Sequence, residues 1–147
     1  MGMIDVGDKE KTVRIAKARA RVILGKEITD KIKHNNIPKG NILEVARIAA
    51  ILAAKKTPEL IPLCHNIEVD SIEVDFALQE EIVTIEAIAK ATAKTGVEME
   101  AMIACSVAAL TIYDMCKMFS KEIKILDIEL LEKQGGKSGH YKSQEKA

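Results

Sequence analysis

The sequence predicts one α+β domain with a ferredoxin-like fold, in which an antiparallel sheet has its helices packed on one face. Three observations support this prediction. Residues 12–24 alternate between small and basic side chains, as in a strand. Residues 71–92 contain two further alternating runs around a polar turn, as in a hairpin. Residues 96–117 are nearly uncharged and contain no proline, as in a buried helix.

The first strand is predicted to have two different faces, of which the second is basic. The first side consists of Thr12, Arg14, Ala16, Ala18, Ala20 and Val22. The basic side consists of Lys17, Arg19 and Arg21. Like charges two residues apart on a strand repel, so they require water or an acidic partner. We expect a solvated strand face for most of them.

Two helices are predicted between this strand and the hairpin. Gly25 leads into a short amphipathic helix with isoleucines four residues apart. After a turn rich in Asn, Pro and Gly, Asn41 is positioned to cap a helix over 42–56. Two lysines and then Pro58 end this helix, consistent with the helix dipole and with the missing proline donor.

The second half of the chain completes the pattern. Strands are predicted at 71–78 and 82–92, with a turn at 79–81. The nearly uncharged helix follows, and a last strand is predicted at about 123–131. The order is β-α-α-β-β-α-β, which matches the ferredoxin-like pattern if the first two helices count as one crossover.

Length and composition indicate a single domain over 1–147, with residues 1–10 and 134–147 expected to be flexible. The 22 Lys and Arg residues balance the 22 Asp and Glu residues, so no global charge favours nucleic acid or a membrane surface. With no Trp, two Tyr and two Phe, the chain is poorly supplied for base stacking. The longest uncharged run is shorter than the roughly 20 apolar residues of a membrane span.

The cysteines favour a reducing compartment. Cys64, Cys105 and Cys116 are odd in number and form no CxxC pair, and no signal peptide is recognisable. A cytoplasmic location is therefore expected. No metal site is predicted, because no cluster of Cys and His residues could complete a tetrahedral set of ligands.

The helix over 96–117 has charges only at its two ends. Glu98 and Glu100 lie at its start, Asp114 and Lys117 lie at its end, and the thirteen residues between carry no charge. At about 1.5 Å per residue, Glu100 and Asp114 are separated by roughly 21 Å. One small-molecule site in one chain cannot easily use both ends. A site shared between two chains could.

Both ends of this helix also have simple explanations. Glutamates near a helix start complement its dipole, and Asp114 with Lys117 could form a surface ion pair worth at most about 1 kcal/mol. Apolar neighbours such as Tyr113 and Met115, however, predict that this pair is only partly exposed. A desolvated lysine beside an aspartate has a tunable pKa, which suits acid–base catalysis.

Three further segments contain candidate residues. His65 lies in a loop, where a structural role and a functional one stay open, and a nucleophilic Cys64 would need a base other than its neighbour. Lys39 precedes a helix N-terminus and is a candidate for anion binding. Residues 133–139 superficially resemble a phosphate loop, but they lack its first glycine and the following helix. A disordered basic tail and a flap over phosphate oxygens both stay open for this segment.

Several motifs in the same order closely resemble the cyclic pyranopterin monophosphate synthase family, the molybdenum-cofactor biosynthesis protein C family. They are MIDV at 3–6, IPLCH at 61–65, TGVEMEA at 95–101, SVAALTIYDMCK at 106–117 and GGKSG at 135–139. The resemblance covers roughly residues 4–141, nearly the whole chain. It differs after the motif histidine, where Asn66 replaces the usual proline, which affects loop rigidity more than chemistry.

The resemblance implies an enzyme that converts (8S)-3',8-cyclo-7,8-dihydroguanosine 5'-triphosphate to cyclic pyranopterin monophosphate and releases pyrophosphate. By motif, the catalytic residues would be Asp114 and Lys117. The substrate-binding residues would be Leu63, Cys64, His65, Met99, Glu100, Lys39 and Lys133. Lys137 and Glu98 are further candidates. No cofactor is implied, although Mg²⁺ can accompany the triphosphate.

The resemblance also implies a homohexamer built as a trimer of dimers, with active sites at the dimer interfaces. Combined with the length of the helix, it predicts that Glu100 of one chain approaches Asp114 and Lys117, or His65, of a neighbour. Two functions of other classes are alternatives. One is a ferredoxin-like module that binds a nucleotide or another anion as a regulator. The other is an RNA-binding domain, which the neutral charge and scarce aromatic residues disfavour.

Overall fold

A computed structural model describes residues 1–144 of the chain. The elements in order are β1 (Thr12–Ile23), α1 (Lys26–Lys33), α2 (Ile42–Lys55), α3 (Thr57–Leu60), β2 (Ser71–Gln79), β3 (Ile82–Ala93), α4 (Glu98–Cys116), β4 (Lys124–Gln134) and β5 (Tyr141–Lys142).

The five strands form one antiparallel sheet in the order β2-β3-β1-β4-β5. The first four strands therefore have the ferredoxin-like order, with β1 and β3 at the centre. Helices α2 and α4 pack together, and α4 also contacts the central strands. The predicted α+β architecture, with helices on one face of an antiparallel sheet, is confirmed.

The central strand β1 owes its burial to small side chains. Ala16, Ala18 and Ala20 have no exposed surface, and together with their counterparts on β3 they form a flat platform. Because alanines project little from a sheet, α4 can pack closely on them. The opposite face carries the predicted basic residues, and each of them has an acidic partner on a neighbouring strand. These ion pairs are Lys17–Glu86 at 3.0 Å, Arg19–Glu129 at 2.5 Å and Arg21–Asp127 at 3.7 Å.

The predicted second helix is confirmed with its cap. Asn41 Oδ1 accepts a hydrogen bond from the Glu44 amide at 3.2 Å, as an N-cap residue does. The helix ends at Lys55, and the short helix α3 follows, which the sequence did not predict. Pro58 occupies the first turn of α3, where a missing N–H costs nothing. The proline therefore separates two helices instead of only ending one.

Helix α4 is the only helix among residues 1–144 that is long and apolar enough to cross a membrane by length and composition. Half of that window is buried inside the protein. A core helix meets the same criterion, and α4 packs against β1, β3 and α2 in that manner.

The C-terminal part of the described chain extends the sheet. Strand β4 continues to Gln134, beyond the predicted end, and Tyr141 and Lys142 pair with Lys133 and Glu132 as β5. A two-residue strand has too little alternation to be recognised in a sequence. Flexibility at 1–10 and 134–147 stays a prediction, and residues 145–147 lie outside the described part of the chain.

Candidate functional site

A cavity of about 250 Å³ lies at the N-terminal end of α4. Five of the predicted substrate-binding residues line it together. They are Leu63, Cys64, His65, Met99 and Glu100. The loop between α3 and β2 supplies the first three, and the first turn of α4 supplies the other two. The predicted grouping of these residues is therefore present within one chain.

Glu100 is the most unusual side chain of this cavity. It is only 2 % exposed, and its Oε2 has no hydrogen-bond partner among residues 1–144. Burial raises the pKa of its carboxyl group to about 7, and the neighbouring Glu98 contributes in the same direction. An unpaired buried carboxyl oxygen costs free energy. A ligand that forms a hydrogen bond with this oxygen would remove that cost.

His65 and Cys64 line the same cavity as Glu100, and each is restricted in the chemistry it can perform. His65 Nε2 is 2.6 Å from the Ile4 carbonyl oxygen, which can only accept, so this nitrogen donates. Burial, and then the charge of Glu100, raise the pKa of the Cys64 thiol. Both effects disfavour a thiolate, which argues against Cys64 as a nucleophile.

Lys133 brings the end of β4 to the same region. Its Nζ lies 3.6 Å from Glu98 Oε1, and both side chains are only partly exposed. Lys137 lines a neighbouring cavity of about 470 Å³ together with Arg14. The cavity at the start of α4 thus has cationic side chains close by.

Arg14 belongs to this region, and the sequence analysis assigned it no function. Its side chain is 7 % exposed, and it donates to the Ala93 and Lys94 carbonyl oxygens at 3.3 and 3.0 Å. The sequence feature that could have indicated a role for Arg14 is its position on a face of β1 that otherwise carries small, buried residues. A charged residue in such a row of alanines requires a specific environment.

The second cluster lies at the opposite end of α4. Lys117 Nζ is 2.8 Å from Asp114 Oδ1, and Lys39 Nζ lies 3.1 Å from the Asp114 carbonyl oxygen and 3.5 Å from Oδ2. Lys39 therefore joins the predicted catalytic pair. The hydrogen bond and charge of Lys117, and the charge of Lys39, lower the pKa of Asp114, whose own hydrogen bond and charge raise the pKa of Lys117.

The expected partial burial of this pair is wrong for the single chain. The side chains of Asp114 and Lys117 are each 58 % exposed. The apolar neighbours that suggested burial lie on the other side of the helix, where Met115 and Cys116 enter the core. In one chain, Asp114 is an ionised acceptor and Lys117 is a cation.

One chain does not unite the two clusters. Glu100 and Asp114 are both in α4, fourteen residues or roughly 21 Å apart. The cavity that Glu100 lines contains no residue of the Asp114 cluster. His65, in contrast, lines the same cavity as Glu100, so a neighbouring chain is not needed to bring those two together.

Comparison with known proteins agrees with the resemblance seen in the motifs. The sequence pattern of the MoaC family matches residues 3–136. The chain is 49 % identical to the cyclic pyranopterin monophosphate synthase of Peptoclostridium acidaminophilum over 95 % of its own length and 88 % of that protein. It is 51 % identical to the enzyme of the same name from Heliobacterium modesticaldum, over 95 % and 89 % of the two chains. The mitochondrial enzyme of Arabidopsis thaliana is 52 % identical over 95 % of this chain and 52 % of its own.

Proposed function

The chain belongs to the MoaC family, and on that basis we propose that it acts in molybdenum cofactor biosynthesis. The reaction is conversion of (8S)-3',8-cyclo-7,8-dihydroguanosine 5'-triphosphate to cyclic pyranopterin monophosphate with release of pyrophosphate. Relatives about half identical over nearly the full chain carry the name of this synthase. The observation in the structure that carries the proposal is the buried, unpartnered carboxyl oxygen of Glu100 in a cavity lined by the same motifs.

The cavity at the start of α4 suits the ring chemistry. Rebuilding a purine-derived ring into a pterin requires proton transfers at nitrogen and carbon. A carboxyl group with a pKa of about 7 can both donate and accept a proton near neutral pH, and Glu100 has this property. The neutral Cys64 thiol, His65 and Met99 complete a half-apolar wall for a flat ring system.

The cluster at the end of α4 suits the phosphate chemistry. When pyrophosphate leaves, a substrate hydroxyl oxygen bonds to the α-phosphorus, and the bond from this phosphorus to the bridging oxygen of pyrophosphate breaks. Asp114 is ionised and can accept the hydroxyl proton, while Lys39 and Lys117 can bind the departing pyrophosphate. Lys133 lies beside Glu98, and we assign it either to phosphate binding or to the proton transfers of the ring rearrangement. Mg²⁺ would enter on the triphosphate, and no other cofactor is required.

The separation of the two clusters supports a site shared between chains. A substrate that contacts Glu100 in one chain can reach Asp114 and Lys117 only if they belong to a neighbour. Large apolar side chains exposed on the helices support association. They are Val45, Ile48 and Leu52 on α2 and Leu110 on α4. A homohexamer made of three dimers agrees with this arrangement. A cytoplasmic location agrees with the three unpaired cysteines.

Substitution of the proposed catalytic pair tests the function. Asp114→Asn and Lys117→Ala are each expected to lower formation of the cyclic monophosphate by about 100-fold or more, because a proton acceptor or a phosphate-binding cation is lost. Chromatography of the pterin product and a coupled pyrophosphate assay measure turnover, and calorimetry measures substrate binding. Circular dichroism and light scattering check folding and assembly.

Two control variants remove the same kind of charge elsewhere on the surface. They distinguish an effect of charge alone from loss of a site residue. Asp75→Asn removes a carboxylate that is 84 % exposed and 3.8 Å from Arg47, and Lys121→Ala removes an exposed lysine just beyond α4. Both controls should retain the parent rate. If Asp114→Asn and Lys117→Ala also formed product at the parent rate, the catalytic assignment would be wrong. If the parent bound the substrate without turnover, the protein would be a binding module and not this enzyme.

A further inference from the structure

The N-terminal residues 4–9, here called the strap, border the cavity that contains Glu100. Ile4, Val6 and Lys9 line that cavity together with the predicted substrate-binding residues. The strap contains no helix or strand. It therefore forms part of the cavity wall without the support of backbone pairing in the sheet.

The strap buries little apolar surface. All its residues are exposed except Val6, which is half-buried, and Ile4 is 78 % exposed. A segment with few buried apolar contacts opens at a small cost in free energy. What holds it against the domain must therefore be polar.

Two side chains from two different loops hold the strap. His65 Nε2 donates to the Ile4 carbonyl oxygen at 2.6 Å, and Lys94 Nζ donates to the Gly7 carbonyl oxygen at 3.2 Å. Within the strap, the Gly7 amide donates to Asp5 Oδ1 at 2.7 Å and the Lys9 amide donates to the Val6 carbonyl oxygen at 3.1 Å. The strap thus has its own turns and two attachment points.

The attachment at Ile4 also fixes the state of the His65 ring. A carbonyl oxygen only accepts, so Nε2 carries a proton while the strap is closed. In the neutral ring this leaves the Nδ1 lone pair for a ligand. Opening of the strap releases the ring from this tautomer. Closure of the cavity and orientation of His65 are therefore one event.

We propose that the strap is a gate over the Glu100 cavity, fastened by Lys94 and by His65, and that its closure positions His65 for the bound ligand. The identity of that ligand rests on the proposed function, whereas the gate itself does not. Lys94 acts here as a positioning residue, because it contacts the strap and not the ligand. The device predicts that weakening one attachment opens the cavity in the free protein.

The first test uses the full-length protein without ligand. In Lys94→Met, amide hydrogen exchange in the peptide that covers residues 2–10 should be about three- to tenfold faster, as expected for the loss of one hydrogen bond. Alkylation of Cys64 by N-ethylmaleimide, followed by peptide mass spectrometry, should accelerate by a similar factor because Cys64 lines the gated cavity. Lys94→Arg, which keeps the charge and a donor, should restore both rates.

Lys90→Met is the matched control, because Lys90 is an exposed lysine in β3, four residues before Lys94, which lies just beyond the end of that strand. In Lys90→Met, the strap amides should exchange and Cys64 should be alkylated at the parent rates. Parent-like rates in Lys94→Met would overturn the proposal. So would faster alkylation of Cys64 without faster exchange of the strap, because it would mean that the cavity opens elsewhere.

The second test adds the triphosphate substrate to Asp114→Asn, so that the bound state accumulates. The strap peptide should then exchange at least about threefold more slowly than without substrate. With the otherwise intact enzyme, Lys94→Met should raise KM about three- to tenfold and change kcat less. Binding of the substrate without any protection of the strap would overturn the gate. Absence of substrate binding to the parent would instead refute the proposed function, and the first test would still decide the gate.

Discussion

Lys133 Nζ lies 3.6 Å from Glu98 Oε1, so the end of strand β4 contacts the first turn of helix α4 through an ion pair. Glu100 lies on the same turn, and its pKa is raised to about 7 by burial and, to a smaller extent, by Glu98. Lys133 offsets the charge of Glu98. The three residues therefore form one electrostatic unit, in which a change of one charge shifts the titration of the buried carboxyl group.

The first prediction concerns this unit. Glu98→Gln removes a negative charge beside Glu100 and should lower the Glu100 pKa, whereas Lys133→Met should raise it. Carbon-13 NMR of labelled glutamate carboxyl groups measures the midpoint, and Glu100→Gln identifies the signal. Glu44→Gln is the control, because that exposed glutamate pairs with Arg47 on α2. An unchanged Glu100 midpoint in both site variants would contradict the coupling.

The second prediction concerns stability and pH. The folded pKa of Glu100, about 7, lies above the ordinary glutamate value of 4.5. Between these values the native state binds more protons than the unfolded state, so this group lowers the free energy of unfolding as pH rises. Glu100→Gln removes that dependence. Relative to the parent, the variant should therefore gain about 2 kcal/mol between pH 5 and pH 8.

Urea unfolding at pH 5 and pH 8, at one fixed protein concentration, measures this difference. The comparison between variant and parent cancels the titration of all other groups. Glu59→Gln, at a glutamate in α3, is the matched control for the removal of one carboxyl group. A difference between Glu100→Gln and the parent that is constant with pH would mean that the carboxyl group is ionised in the folded protein.

The sequence analysis predicted the sheet and the large helices because their patterns are strong. Alternation in β1, β2 and β3 and the uncharged run in α4 gave the correct architecture. It could not predict that Glu100 is buried, because a glutamate in a first helical turn is already explained by the helix dipole. The cavity around Glu100 is lined by the loop that contains Cys64 and by the strap that contains Ile4. Both are distant from Glu100 in sequence, so its environment has no local signature.

The third prediction concerns the backbone next to Arg14. Gly135 has φ +101°, and a Cβ there would overlap the Val13 carbonyl oxygen. Gly135→Ala should therefore lower the free energy of unfolding by about 3 kcal/mol, from backbone strain plus the steric overlap. Gly139, with φ +67° and open space around it, is the matched control, and Gly139→Ala should cost about 1 kcal/mol. Equal costs in urea unfolding would mean that the overlap at Gly135 is relieved by movement of the strand.

The last prediction concerns the shared site, and it follows from the roughly 21 Å between Glu100 and Asp114. Glu100→Gln and Asp114→Asn should each be inactive alone. When the two variants are co-expressed, half of the dimers contain one chain of each kind, and each mixed dimer has one site with both parent residues. About a quarter of the parent activity should therefore return, measured as pterin product per chain on doubly tagged, co-purified protein. A chain with both substitutions, co-expressed with either single variant, should restore nothing, because no site then has both residues intact. If both residues acted within one chain, the mixed dimers would stay inactive, and no neighbour would be needed to complete the site.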